Sequence, residues 1–143
     1  MDVHRFTVTV FFFILLGAWG AAFGNEPAEE HSAVITLAEC MQFIEKQDGV
    51  LVDTRPPDIY RRGHLPGAVN LPLDDFEAGY ERLRTLLELD WSQRIVTYCT
   101  SLTCEDSEKM REKLVEKGFS RVAVFKEGYA AWWKAKLPLE KGP

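Results

Sequence analysis

Hydrophobic positions along this chain fall into three patterns. Phe6 to Gly24 is a continuous uncharged stretch, densest at Val10–Leu16. Beyond residue 32 the apolar residues come either as short unbroken runs or at helical spacing. The short runs are Ala33-Val34-Ile35, Val50-Leu51-Val52, Ala68-Val69-Asn70-Leu71, Ile95-Val96-Thr97-Tyr98 and Val122-Ala123-Val124-Phe125, unbroken except at Asn70 and Thr97. Unbroken runs of this length suit strands covered on both faces. Between them lie helical patterns. Thr36 opens one, with Glu39 three residues on as a capping box and Leu37, Cys40, Met41 and Ile44 on one face; Gln47-Asp48-Gly49 ends it. Phe76, Tyr80, Leu83 and Leu87 mark a second. Glu105–Lys117 forms a third, with Met110 and Leu114 inward and Gly118 beyond its end. Tyr129–Lys136 forms a fourth, carrying Trp132 and Trp133 and stopped by Pro138. Thr54–Gly67, with three prolines and two glycines, reads as a long loop. Strands alternating with helices predict an α/β domain with a mostly parallel sheet and helices on both faces.

The N-terminal stretch lies between His4-Arg5 and the acidic Glu26, Glu29 and Glu30. A positive flank, an apolar core and small residues at Ala22 and Gly24 form the pattern of a secretory signal over residues 1–24. The same stretch can span roughly 30 Å of hydrocarbon as an uncleaved anchor through residues 6–24. Either way the rest of the chain is expected to be exported, periplasmic or secreted if cleaved and facing outward if anchored. Residues 25–32 read as a linker and 33–140 as the folded domain. The 143 residues, 46% hydrophobic and 27% charged, suit one globular domain. A net charge of −5 gives no basic footprint for nucleic acid. No metal, nucleotide or flavin motif is present, so no cofactor is expected.

With three cysteines, at least one has no partner within the chain. Cys40 falls on an apolar helix face and reads as core. Cys99 ends a buried strand. The loop Thr100-Ser101-Leu102-Thr103-Cys104 follows, then a helix from Glu105. A loop of this kind turns backbone N–H groups and the positive end of a helix dipole toward the strand end, which favours a thiolate there. Cys99 is therefore a candidate nucleophile; a simple buried strand-end cysteine is the alternative. Glu105, Asp106 and Glu108 complement the dipole but oppose an anion beside it. Cys104 is either a resolving partner for Cys99 or a small loop residue. Asp53 ends a strand facing the loop and either orients loop groups or makes an Asx turn. Arg55 and Asp58 read as an ion pair, His64 as a loop-fixing hydrogen bonder, and Arg62 as a possible charge for an anionic donor.

The segments Asp53–Tyr60 and Gly63–Pro72, then Tyr98–Ser101, Gly118-Phe119, Glu127-Gly128 and Trp132, resemble a single-domain rhodanese. The resemblance implies a rhodanese-like three-layer α/β/α fold. It implies a sulfurtransferase in which Cys99 carries sulfane sulfur as a persulfide. It further implies that the loop amides cradle that sulfur, a small sulfur donor supplies it, and a thiol or other thiophilic acceptor receives it. Two departures stand out. Leu102 and Cys104 occupy positions where the family commonly has Gly and Arg, and Glu127-Gly128 replaces a common Gly-Gly pair. The missing Arg implies weak use of thiosulfate and argues against phosphatase chemistry. A thiol–disulfide protein using Cys99 and Cys104, or a non-catalytic binding module, are the competing functions.

Overall fold

The computed structural model describes residues 33–143 apart from positions 87 and 89. The expectations for residues 1–32, the signal or anchor and the linker, and for Leu87 lie outside the described residues. Five strands form one all-parallel sheet: β1 (Val34–Ile35), β2 (Val50–Asp53), β3 (Val69–Asn70), β4 (Ile95–Tyr98) and β5 (Val122–Phe125), in spatial order β1-β5-β4-β2-β3. The helices are α1 (Leu37–Glu45), α2 (Pro57–Arg62), α3 (Phe76–Leu86), α4 (Asp106–Glu116) and α5 (Gly128–Lys134), with a short 3₁₀ turn at Leu73–Asp75.

Alternation along the strands divides the core into two layers. Leu51, Val96, Tyr98, Ala123 and Phe125 pack with Cys40 and Phe43 of α1, Tyr60 of α2 and Trp132 of α5. Val52, Ile95 and Val122 pack on the opposite side with Phe76 and Tyr80 of α3 and Met110 and Leu114 of α4. All four residues of β4 and of β5 are buried, which is why both strands read as apolar runs, with Thr97 the one polar member. The expected three-layer α/β architecture with a parallel sheet is what the chain forms.

Several local expectations meet their physical cause. Thr36 caps α1: its side chain accepts from the Glu39 N–H, and the Glu39 carboxylate accepts from the Thr36 N–H at 2.7 Å. Gly118 follows the end of α4 at φ +105°, beyond the reach of most side-chain-bearing residues. Other expectations require correction. The presumed loop 54–67 contains α2, whose six residues begin with Pro57 at its first turn; proline is preset for that position and gives no sign of helix to a reader expecting a turn. Met41 is exposed, and Phe43 takes the inward place on α1. Arg55 does not pair with Asp58. Asp58 bonds Arg62, and Arg55 bonds Asp53.

Candidate active site

Parallel strands deliver their carboxyl ends to one edge of the sheet, and sites in such sheets form there. β4 lies in the middle of the sheet, and the residue after it is Cys99, 4% exposed. The strand end is held from several sides. The Tyr98 carbonyl accepts from both the backbone N–H and the hydroxyl of Thr54, each at 3.0 Å. The Cys99 and Thr100 carbonyls accept from the Tyr129 and Ala130 N–H groups at 2.9 and 2.8 Å. Those two donors open α5, whose first amides have no partner within the helix itself. The loop is thereby tied to β2 on one side and α5 on the other.

Gly128 makes the second tie possible. Its φ is +62°, and a Cβ at this position would lie 2.4 Å from the Cys99 carbonyl oxygen. The backbone of α5 comes this close to the strand end only because position 128 has no side chain. Of the pair Glu127-Gly128, position 128 is thus the one that requires glycine, whereas the exposed Glu127 carries its side chain freely.

Beneath the loop lies a buried polar cluster. Asp53 is fully buried and Arg55 is 2% exposed. Arg55 donates from Nε to Asp53 Oδ1 at 2.9 Å, pairs through Nη2 with Oδ2, and donates from Nη2 to the Gly63 carbonyl. The Tyr98 hydroxyl also donates to Asp53 Oδ2 and accepts from the Leu65 N–H at 3.2 Å. Burial and the Asp53 charge push the Tyr98 phenol well above its ordinary range, so it stays protonated as the donor. Burial alone would lower the Arg55 pKa, but the hydrogen bond and charge of Asp53 raise it. The Arg55 guanidinium also covers the Tyr129 ring at 4.2 Å. Asp53 therefore orients Tyr98, the residue before Cys99, and also makes the Asx contact to the Arg55 N–H at 2.9 Å. His64 is buried, bonds the Tyr60 carbonyl through Nδ1 and pairs backbone to backbone with Glu140. Among the described residues its polar partners are Tyr60 and Glu140, not the cysteine loop. Arg62 is 76% exposed and contacts Asp58, not the cysteine loop.

Cys99 and Cys104 form a disulfide with their Cα atoms 6.1 Å apart. In this structure Cys104 is thus the partner of Cys99. Cys40 is fully buried, and burial pushes its thiol up to about 12, so it stays a neutral core residue. Among the described residues, no protein acceptor engages the backbone N–H groups of Thr100, Ser101, Leu102 or Thr103. The four successive amides that follow Cys99 are therefore left without a protein partner.

The acids of the first turn of α4 oppose an anion less than their number suggests. Glu105 pairs with Lys109 at 3.0 Å, which holds its carboxyl below the usual range, and Glu108 pairs with Lys126 at 2.5 Å. Asp106 is the one with a carboxylate oxygen within 4.8 Å of both sulfurs. Thr97 Oγ1 donates to the Ser107 carbonyl at 2.8 Å and fixes the start of α4 beside the end of β4.

One contributor escaped the sequence reading. Ser101, Leu102 and Thr103 line a shallow cleft of about 280 Å³ with Glu127, Ala130, Ala131 and Lys134. Lys134 places a cation, and Glu127 a carboxylate, in the cleft beside a loop that carries no basic residue of its own. Its only sequence signal is helical spacing from Ala130 and Ala131, and that acquires meaning once α5 is known to dock on the loop.

The family model for the rhodanese-like domain matches residues 36–135. The chain is 34% identical to the uncharacterized protein YibN of Escherichia coli K12 over 109 residues, covering 76% of this chain and 73% of that one. It is 29% identical to the thiosulfate sulfurtransferase GlpE of Pseudoalteromonas translucida, covering 68% of this chain and 86% of the relative. Among solved structures, the BH2092 protein of Bacillus halodurans superposes with a TM-score of 0.67 at 26% identity, covering 77% of each chain. A parallel sheet with a cysteine loop at its carboxyl edge, together with a family match across nearly all of the described fold, establishes that this chain belongs to the rhodanese-like domain family.

Proposed function

We propose that the chain is a sulfurtransferase that takes sulfane sulfur onto Cys99 and passes it to a thiophilic acceptor. The observation that carries this reading is the position of Cys99 at the end of the middle strand, followed by four loop amides without protein acceptors. The Cys99 thiolate attacks the outer sulfur of the donor. The donor's own sulfur bond breaks, a Cys99 persulfide forms, and the remainder of the donor departs with the electron pair. The acceptor then attacks the outer sulfur and Cys99 leaves as thiolate. The oxidised loop has no thiolate to offer, so a dithiol must first open the Cys99–Cys104 bond. The similarity to relatives named thiosulfate sulfurtransferase supports this reaction class. The disulfide itself favours a second reading, thiol–disulfide exchange by the same two cysteines.

We place the activity outside the cytoplasm, on the strength of the uncharged stretch from Phe6 to Gly24 between a basic and an acidic flank. Cell fractionation of the full chain tests this, and a purely cytoplasmic, soluble product would refute it.

Thiosulfate, a dianion, should be a poor donor, because Lys134 at the edge of the cleft is a weaker partner than a guanidinium inside the loop. Replacing Cys104 with Arg is expected to improve thiosulfate use by about tenfold, the equivalent of about 1.4 kcal/mol. Glu105 already pairs with Lys109, so Asp106, with a carboxylate oxygen within 4.8 Å of the Cys104 sulfur, is the acid that competes for the new cation and limits the gain. Cys104→Ser is the control, since it also frees Cys99 from the disulfide but adds no charge. Equal improvement in both variants in the cyanide-dependent assay would show that disulfide locking, not charge, limits thiosulfate use.

A further inference from the structure

The sequence pattern and the loop geometry point to a step beyond sulfur transfer. We propose that Cys104 is an internal resolving thiol: it attacks Sγ of the Cys99 persulfide, expels the outer sulfur as hydrosulfide and closes the disulfide, with Asp106 accepting its proton. The proposal rests on the reading of Cys99 as the sulfur carrier.

Three observations support it. The Cys99 and Cys104 sulfurs are bonded, with Cα atoms 6.1 Å apart, inside the roughly 4.4–6.8 Å range of ordinary disulfides. The backbone on both sides of the bond is held independently. The Cys99 and Thr100 carbonyls are tied to α5, and the Cys104 N–H donates to the Ser101 carbonyl at 3.0 Å. The two cysteines are thus positioned for mutual attack by contacts that do not depend on the bond. Finally, Asp106 has a carboxylate oxygen within 4.8 Å of both sulfurs, while the neighbouring Glu105 and Glu108 are drawn off by lysines. A separation within that bound suits proton transfer through one water.

The step balances within the loop. Cys104 Sγ forms a bond to Cys99 Sγ as the bond from Cys99 Sγ to the outer sulfur breaks. The outer sulfur leaves with both electrons and is reduced to sulfide, and the two cysteines are oxidised to the disulfide. The proton lost by Cys104 passes to Asp106 and on to the departing hydrosulfide. An external dithiol then supplies two electrons and two protons to restore both thiols. The loop so described converts sulfane sulfur and a dithiol into sulfide and a disulfide, a persulfide-reductase activity in addition to transfer.

The test uses the reduced full chain, freed of reductant and given benzenethiosulfonate, which departs as sulfinate and releases no sulfide itself. The wild-type chain is expected to release one sulfide per chain and to end about 2 Da lighter than the reduced protein. Cys104→Ser is expected to gain about 32 Da and release none. A wild-type chain that keeps the added sulfur without releasing sulfide overturns the proposal while leaving Cys99 as carrier. Failure of Cys104→Ser to gain any sulfur overturns both readings. Asp106→Asn should slow sulfide release about tenfold at pH 6 and recover toward the wild-type rate at pH 9, where a thiol of ordinary pKa about 8.5 ionises unaided. Equal slowing at both pH values, or faster release at pH 6, removes Asp106 from the step.

Discussion

Replacing Cys99 with Ser is expected to reduce cyanide-dependent sulfur transfer to the level of the blank, a fall of about a thousandfold or more, in a protein that still folds. A serine hydroxyl fits the space at the end of β4, and the Tyr98, Thr54 and α5 contacts around it use backbone groups or other side chains. The substitution does remove the disulfide. Closing so short a loop stabilises the oxidised chain by about 2 kcal/mol on the loop-entropy account. Cys104→Ser loses the same bond, so the two variants should unfold at similar denaturant concentrations. Only Cys99→Ser should lose transfer. Transfer surviving in a folded Cys99→Ser chain would remove Cys99 from the reaction.

The second large effect concerns stability. Arg55→Met keeps much of the side-chain volume but leaves the fully buried Asp53 carboxylate with the Tyr98 hydroxyl, the residue 55 N–H and no charge partner. Breaking a buried pair from one side costs about 3–5 kcal/mol, because the remaining charge is neither solvated nor matched. Against a typical total of about 5–15 kcal/mol, that is enough to leave the domain marginal. The double substitution Asp53→Asn with Arg55→Met should recover most of the loss, since it removes both charges. Urea unfolding of the reduced proteins checks both statements. A loss below about 1 kcal/mol in Arg55→Met would mean that the pair contributes no more than an exposed one.

These two residues also show what the amino-acid order makes legible. Cys99 is conspicuous because an unbroken apolar run ends in a thiol and is followed by small polar residues and then a helix. β2, β4 and β5 are legible for the same reason: strands buried on both faces are apolar at nearly every position, Asp53 and Thr97 being the polar exceptions. The capping box at Thr36 and Glu39 is local, and it reads directly. Arg55 is different. Asp53 and Asp58 both lie within a few residues of it, and the choice between them depends on where β2 ends and where α2 begins. α2 itself is hidden, because a six-residue helix opened by Pro57 carries too few positions to show a period. Met41 and Phe43 exchange roles on α1 for a related reason: with one buried stripe on a nine-residue helix, a shift of two positions is not visible until the sheet beneath it is placed.

The approach of α5 to the loop is the least legible part of the site. It depends on Gly128 adopting a positive φ and on the Tyr129 and Ala130 N–H groups finding the carbonyls of residues distant in sequence. Neither leaves a periodic trace. The partner of Cys104 is open in the sequence for a similar reason. A separation of five permits a disulfide but does not require one, and the turn closed by Cys104 N–H on the Ser101 carbonyl is what brings the sulfurs together.

The most direct measurement is made on the reduced Cys104→Ser chain, which cannot resolve a persulfide internally. It is exposed to benzenethiosulfonate, alkylated and cleaved, and the cysteine peptides are weighed separately. Cys99 as sulfur carrier predicts an alkylated peptide about 32 Da heavier at Cys99, with Cys40 unchanged. Cys99 recovered only as the simple alkylated thiol, while the donor is consumed or the added sulfur sits at Cys40, would contradict it.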